Sequence, residues 1–304
     1  MTVGQFQRKS LALPDGDISY LERSGPGVAL VFLHANGFNG QTYRRIYDAL
    51  SEDIHLIAPD MRGHGRTTLT ADPERLKSWT QYRDDMTTFI NSLPVTKNRP
   101  LVMAGHSMGG TTSVMVAHDH PGRVAHLFLM DPVVFPTPNI VERIILPFMV
   151  RSNLAEGAKR RRFQYPDRDT VFKSYQGRGA FVSWPDDMLR DYISGGTVDD
   201  GDGGIRLACA PAWEAANFSL SFNDVWRDFG HVTSEVTLFH ATEMGATCPP
   251  RRAKMLQRQK PEMKRVQMDG ASHFLPMEHP ERMAEEINQI CDGLKSQIFN
   301  ANAQ

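Results

Sequence analysis

The sequence has few cysteines, almost no net charge and no long apolar segment. Its three cysteines, Cys209, Cys248 and Cys291, lie far apart and lack the spacing of metal ligands, so neither a disulfide scaffold nor a metal site is predicted. A net charge of −1 excludes the strong positive field that recruits nucleic acids or anionic membranes. No run approaches the ~20 apolar residues that span a membrane. Because residues 1–10 also lack the apolar core of a secretory signal, a cytoplasmic protein is predicted.

Short apolar segments alternate with helical patterns along most of the chain. This alternation predicts an α/β fold in which helices cover both faces of a mostly parallel sheet. A hairpin is predicted at the start, around Pro14-Asp15-Gly16. The final helix has the clearest pattern, because apolar residues recur every three or four positions from Met283 onward. The predicted strands are 7–13, 17–22, 28–33, 54–58, 101–104, 125–130, 236–240 and 264–268.

The region from about 133 to 230 interrupts this alternation. It contains many prolines, the basic cluster Lys159–Arg162 and three of the four tryptophans. A structureless loop of that length is uncommon in a compact domain, so a mostly helical inserted unit is predicted. Its aromatic residues, Trp184 and Trp213 among them, either line a substrate pocket or fill the unit's own small core. The basic cluster is interpreted as a solvated helix face, with docking of an acidic substrate as the alternative.

A serine between two glycines lies where a predicted strand meets a predicted helix. The pentapeptide Gly-His-Ser-Met-Gly at 105–109 follows the apolar run 101–104 and opens a helix-compatible segment. Glycine at both flanking positions lets strand and helix close around a sharp turn, which exposes the serine hydroxyl in strained backbone. Ser107 is therefore the candidate nucleophile. A serine at an ordinary strand–helix junction is the alternative.

The pentapeptide and its context resemble the nucleophile elbow of the α/β-hydrolase superfamily, and the resemblance covers nearly the whole chain. The segment 60–65, Asp-Met-Arg-Gly-His-Gly, is similar to the superfamily's loop after the fourth strand, in which Asp60 and Arg62 would have structural roles. The resemblance implies an α/β-hydrolase fold with a mostly parallel eight-stranded sheet and a helical cap inserted after strand 6. The expected core comprises residues 1–132 and 231–304, and the expected cap comprises residues 133–230.

A catalytic histidine is also implied by the resemblance. A serine hydroxyl needs a base to remove its proton, and His273 follows the last predicted strand, where the superfamily places that base. His279 is the nearest rival, but Pro280 after it is typical of the start of a helix. His273 is the preferred base.

The catalytic acid departs from the commonest superfamily pattern. Usually an aspartate follows the seventh strand in a Gly-x-x-Asp-x-x-x-Pro segment, and alignment on Pro249 places Gly245 at the position of that aspartate. Glu243, two residues earlier, is the alternative acid. Asp131 ends the sixth predicted strand and resembles the acid of some haloalkane dehalogenases and of zearalenone-type lactone hydrolases. Asp131 is preferred, because a carboxylate there can reach the far nitrogen of the histidine. An aspartate that starts a turn before proline is the structural alternative.

Two backbone N–H groups are expected to stabilise the oxyanion of the reaction intermediate. Met108, the residue after the nucleophile, supplies one of them. The loop 34–38, His-Ala-Asn-Gly-Phe, resembles the superfamily's oxyanion loop with alanine in a glycine position, which implies that Asn36 supplies the second and that His34 braces the loop. Asn36 also resembles the halide-binding asparagine of dehalogenases, but those enzymes attack with aspartate instead of serine.

The predicted activity is hydrolysis of a carboxylic ester or lactone through an acyl-enzyme intermediate. Ser107, His273 and Asp131 form the predicted triad. Neither a cofactor nor a metal is predicted, and the expected partner is a small-molecule substrate, with no nucleic acid or membrane. Two alternatives stay open: a carbon–carbon bond hydrolase, which uses the same triad, and a small-molecule receptor on the same scaffold with little turnover.

Overall fold

A computed structural model describes residues 5–134, 153–220 and 225–302 of the chain. Each of the eight strands predicted from the sequence is present, with boundaries within two residues of the predicted ones. The strands in chain order are β1 (Gln7–Leu13), β2 (Gly16–Arg23), β3 (Ala29–Leu33), β4 (His55–Pro59), β5 (Leu101–His106), β6 (His126–Met130), β7 (Gln164–Tyr165), β8 (Thr197–Asp199), β9 (Ile205–Leu207), β10 (Glu235–Ala241) and β11 (Lys264–Met268).

Helices fill most of the segments between these strands. Of the helices described, none is both long enough and apolar enough to cross a membrane. In chain order they are α1 (Arg44–Asp48), α2 (Thr80–Ser92), α3 (Pro94–Lys97), α4 (Met108–Asp119), α5 (153–159), α6 (Arg168–Tyr175), α7 (Asp186–Gly196), α8 (Pro211–Ser219), α9 (Val225–Phe229), α10 (Pro250–Gln259), α11 (Leu275–Glu278) and α12 (Pro280–Asn302), with 3₁₀ helices at Gly40–Tyr43 and Gly179–Phe181.

One large sheet contains eight strands in the order β1-β2-β4-β3-β5-β6-β10-β11. The pairings β1–β2 and β2–β4 are antiparallel, and the remaining five are parallel. Every residue of β3, β5 and β6 is buried, as expected for parallel strands covered by helices on both faces. The mostly parallel eight-stranded sheet of the sequence prediction is therefore confirmed.

The apolar core lies on both faces of this sheet. Successive side chains of a strand point to opposite faces. In β3, Val31 and Leu33 accordingly belong to one apolar cluster, and Leu30 and Phe32 belong to the other. Helices α2 and α4 contribute to the first cluster and α1 and α12 to the second, so the sheet is closed on both sides.

The parallel strands bring four predicted site residues to one edge of the sheet. Asn36 follows β3, Ser107 follows β5, Asp131 follows β6 and His273 follows β11. These strands and β10 are consecutive neighbours in the sheet, and their carboxyl ends face the same way. Ligands of open α/β sheets bind at this edge.

The insertion between β6 and β10 is not purely helical. Besides α5 to α9, it contains a three-stranded antiparallel sheet in the order β7-β9-β8. The prediction of a helical cap missed this sheet, because strands of two or three residues are too short to show an alternating pattern. Residues 135–152 and 221–224 of the predicted cap lie outside the described residues, and the domain division at 132/133 and 230/231 stays a prediction.

Candidate active site

Ser107 occupies a tight turn between β5 and α4. Its φ of 54° and ψ of −118° are unusual for a residue with a side chain. A Cβ atom on Gly105 would lie 2.4 Å from the backbone of Gly109, and one on Gly109 would lie 2.2 Å from the carbonyl oxygen of Leu33. Only glycine fits at both flanking positions. The predicted strand–turn–helix geometry of this motif is therefore present.

His273 and Asp131 form a close pair beside this turn. Nδ1 of His273 lies 2.6 Å from Oδ2 of Asp131, whose side chain is fully buried. Glu243 is exposed and makes no hydrogen bond with His273 within the described part of the chain. Of the two candidate acids, the fold thus brings Asp131 to the histidine and leaves Glu243 in solvent.

The loop after β10 holds the Asp131 carboxylate instead of supplying an acid. Backbone N–H groups of Thr247, Cys248 and Ala241 donate to its two oxygens at 2.7, 3.2 and 3.3 Å, respectively. Burial by itself would raise the pKa of Asp131, but the hydrogen bond and electrostatic interaction with His273 and the hydrogen bonds from the Thr247 and Ala241 amides lower it below its ordinary value. The carboxylate is thereby kept ionised next to the imidazole.

Ser107 and His273 make no hydrogen bond with each other among the described residues. Contacts of this kind are often long without substrate and shorten when it binds. The backbone of Ser107 is tied to the next strand, since its N–H donates to the Met130 carbonyl at 3.0 Å. The Ser107 hydroxyl itself forms no hydrogen bond within the described residues.

The two N–H groups predicted for the oxyanion site remain unused. Neither Asn36 N–H nor Met108 N–H donates a hydrogen bond within the residues that the structure describes. The side chain of Asn36 instead donates to the carbonyl of Glu214 in α8 at 3.1 Å. The next amide, Gly37 N–H, donates to Nε2 of His64 at 3.0 Å. Hydrogen bonds from the Asn36 side chain and from Gly37 N–H thus hold the loop in place, while the backbone N–H of Asn36 has no partner in the described ranges.

Three buried histidines near this loop are held neutral. His34 accepts a hydrogen bond from Met61 N–H at 2.8 Å, which agrees with its predicted bracing role, and His64 accepts from Gly37 N–H. His106, which directly precedes Ser107 in the chain, is fully buried. Burial lowers the pKa of His34 to about 4 and the pKa of both His64 and His106 to about 3.

These histidines predict a protein that is unstable in acid. The unfolded chain takes up a proton at each of them below pH 6.5, whereas the folded chain does so only near pH 3 to 4. Their contribution to stability is therefore complete above pH 6.5 and is lost as the pH falls. At pH 5 the loss is about 2 kcal/mol for each histidine taken by itself. Urea unfolding at pH 7.5 and pH 5.0 measures this loss, and a pH-independent free energy of unfolding contradicts the prediction.

Aromatic rings connect the insertion to the site. Phe38, in the oxyanion loop, packs against Trp184 and Tyr192 of the insertion, with ring centroids 5.2 and 5.5 Å apart, respectively. It also stacks on Phe274, the neighbour of His273. Trp184 therefore belongs to an aromatic cluster beside the site.

Trp213 has a different environment. Its Nε1–H donates to the Arg62 carbonyl at 3.1 Å, and the ring leaves no room for a side chain at Gly63. Trp213 is therefore a structural residue. Arg62 itself forms a two-point ion pair with Asp85 at 2.7 and 2.8 Å, which confirms the structural role predicted for its loop.

One member of the basic cluster is not solvated. Lys159 and Arg160 are exposed, as predicted, but Arg161 pairs with Glu214 at 3.0 Å and donates to the hydroxyls of Tyr175 and Tyr192. The solvated-face interpretation is wrong for this residue, because α8 brings Glu214 to it from a distant part of the sequence. The backbone carbonyl of Glu214 also accepts a hydrogen bond from the Asn36 side chain, so α8 contacts the loop 34–38 next to this ion pair.

Sequence reasoning overlooked Thr247, Glu214 and Tyr43. Thr247 anchors Asp131, Glu214 anchors Asn36, and the Tyr43 hydroxyl is within 3.1 Å of Ala35 N. None belongs to a recognisable motif. No cluster of three or more histidine, cysteine, aspartate or glutamate side chains that could hold a metal ion occurs in the described ranges.

Residues 30–286 match the model of the alpha/beta hydrolase family, so the chain belongs to that family and is a hydrolase of it. It is 24% identical to 2-(acetamidomethylene)succinate hydrolase of Mesorhizobium japonicum over 272 residues, which are 90% of this chain and 91% of that protein. Lipase LipV of Mycobacterium tuberculosis is 29% identical over 144 residues, 47% of this chain and 52% of the lipase. A crystal structure of E-2-(acetamidomethylene)succinate hydrolase superposes with a TM-score of 0.79 at 22% identity, covering 95% of this chain and all of that one.

Proposed function

We propose that this chain is a serine hydrolase that cleaves a carboxylic ester or lactone through an acyl-enzyme intermediate. Ser107 is the nucleophile, His273 the general base and Asp131 the acid of the triad. The observation that most strongly supports this proposal is the 2.6 Å contact between His273 Nδ1 and the buried Asp131 carboxylate, next to a serine in a strained turn. A buried carboxylate in this place orients the imidazole and stabilises its protonated form.

The reaction proceeds in two half-reactions. Ser107 Oγ attacks the carbonyl carbon while Nε2 of His273 takes the hydroxyl proton, and the N–H groups of Asn36 and Met108 stabilise the oxyanion. His273 then returns the proton to the leaving alcohol, and the acyl group stays on the serine. A water molecule, deprotonated by His273, attacks this ester and releases the acid. Each oxyanion donor contributes roughly 10²–10³ in rate.

Amide hydrolysis is the second candidate. The relative from Mesorhizobium japonicum is, by its name, a hydrolase of 2-(acetamidomethylene)succinate, which contains an acetamide and the two carboxylates of succinate. Its similarity spans 90% of this chain, which favours this candidate over a substrate of unrelated chemistry. The same triad and oxyanion groups act on amide and on ester carbonyls.

The test combines covalent labelling with a substrate panel. A fluorophosphonate is expected to add one adduct per chain, on the peptide that contains Ser107, and none to Ser107→Ala. Esters, lactones, acylaminomethylene succinates and carbon–carbon bond substrates are then compared at equal concentration. We expect the highest kcat/KM for an ester or lactone. Preference for the amide supports the second candidate, and preference for the carbon–carbon substrate contradicts both. Labelling without turnover of any substrate favours the receptor hypothesis.

A further inference from the structure

A chain of hydrogen bonds runs through the protein interior from the oxyanion loop to the His273 loop. Ala35 N–H donates to the Tyr43 hydroxyl at 3.1 Å. The Tyr43 hydroxyl lies 2.8 Å from Nδ1 of His106, and Nε2 of His106 lies 2.9 Å from the carbonyl oxygen of His273. Tyr43 and His106 are both fully buried, which shields these bonds from bulk water.

The chemistry of the four groups determines the direction of every bond. A carbonyl oxygen only accepts, so Nε2 of His106 must carry the proton that it shares with His273. A neutral imidazole then has a bare Nδ1, which accepts the proton of the Tyr43 hydroxyl. The phenol oxygen in turn accepts from Ala35 N–H. Burial lowers the pKa of His106 to about 3, so this imidazole is neutral at neutral pH.

Ring packing around Tyr43 and His106 keeps this chain of hydrogen bonds rigid. The rings of His106 and His273 have centroids 4.9 Å apart, and Tyr43 packs on Phe32 of β3 at 4.7 Å. Phe38, in the oxyanion loop, lies 6.1 Å from His106. Both ends of this chain of hydrogen bonds are therefore attached to one close-packed group of buried rings.

We propose that Tyr43 and His106 are positioning residues that fix the oxyanion loop relative to the catalytic histidine. Ala35 precedes Asn36, whose N–H stabilises the oxyanion, and the carbonyl of His273 belongs to the residue that moves the proton. Neither Tyr43 nor His106 takes part in the chemistry. The inference rests on the proposed function, because it assumes that His273 and Asn36 act in the reaction.

The first test compares two tyrosines that lie four residues apart. Tyr43→Phe removes the hydroxyl that links Ala35 to His106. Tyr47→Phe is the matched control, because the Tyr47 hydroxyl is also buried but has no hydrogen-bond partner in the described structure. The measured quantity is the rate of fluorophosphonate labelling of Ser107 per folded molecule. We expect it to fall about 10- to 100-fold in Tyr43→Phe, as for a small misplacement of reacting groups, and to change less than twofold in Tyr47→Phe.

The second test separates positioning from folding. His106→Gln keeps an N–H near the carbonyl of His273, whereas His106→Leu has none. We expect glutamine to retain at least tenfold more activity than leucine, with the difference in kcat and with KM unchanged. Labelling at the wild-type rate in Tyr43→Phe, or equal activity of the two His106 variants at equal folded fractions, overturns the positioning role alone. Absence of labelling in the wild type overturns the proposed function, and the inference with it.

Discussion

Replacing Ser107 with alanine is expected to lower kcat by about 10⁶, and replacing His273 with alanine should lower it by a similar factor. The reason is that the serine hydroxyl and the imidazole act in one step: neither attacks nor transfers a proton without the other. The double variant should therefore be no slower than either single variant. A residual rate above that of water is expected from the oxyanion N–H groups and from substrate binding alone.

The measurement is kcat on the best substrate of the panel, with folded protein quantified for each variant. His279→Ala is the matched control for His273→Ala, because it removes a second histidine from the same region. His279 lies directly before α12, which begins at Pro280 as predicted, and near-normal activity is expected. Activity that survives in His273→Ala but is lost in His279→Ala reverses the assignment of the base.

Asp131→Asn is expected to lower kcat by about 10⁴. The carboxylate accepts the Nδ1–H of His273, and this bond holds the tautomer in which Nε2 is free to take the serine proton. An amide nitrogen in that place favours the opposite tautomer. Glu243→Gln is the control, since Glu243 is exposed, and it should change kcat less than twofold. The opposite ranking of the two variants would make Glu243 the acid.

Asp131→Asn should also destabilise the protein. One carboxylate oxygen accepts from Thr247 N–H and His273, and the other accepts from Ala241 N–H and Cys248 N–H. In either orientation, the amide group of asparagine faces at least one of these backbone N–H groups. Each buried donor left unpaired costs about 1–3 kcal/mol. Urea unfolding at neutral pH measures this loss separately from kcat, so the catalytic effect is assessed on folded protein.

The serine and the histidine are easier to identify from sequence than the acid. Ser107 lies between two glycines within five residues, and the requirement at Gly105 is local, because a Cβ atom there would meet the backbone of Gly109. His273 directly follows a strand that the sequence predicts correctly. Asp131 follows β6, and its partners come from the end of β10 and from the loops after β10 and β11. Only the sheet order, which places these strands next to one another, brings the three segments together.

The environments of charged and buried side chains also depend on residues that are distant in sequence. Arg161 is part of a basic run that predicts a solvated helix face, yet its environment depends on Glu214 from a different helix. His106 is adjacent to Ser107 in sequence, but its partners are Tyr43 and the carbonyl of His273. A pattern along the chain reports which side chains are apolar or charged. It does not report which distant groups will satisfy their hydrogen bonds.

The sequence by itself determined the strand positions, the parallel sheet and the location of Ser107, because each depends on apolar periodicity or on backbone conformations that few residues adopt. The tertiary structure alone decided which carboxylate meets His273, which groups keep Asp131 ionised and which residues brace the oxyanion loop. Several of those outcomes depend on contacts between segments more than a hundred residues apart, such as Asp131 and Thr247. Hydrogen bonds and burial act between neighbours in space, and only the completed sheet makes these segments neighbours.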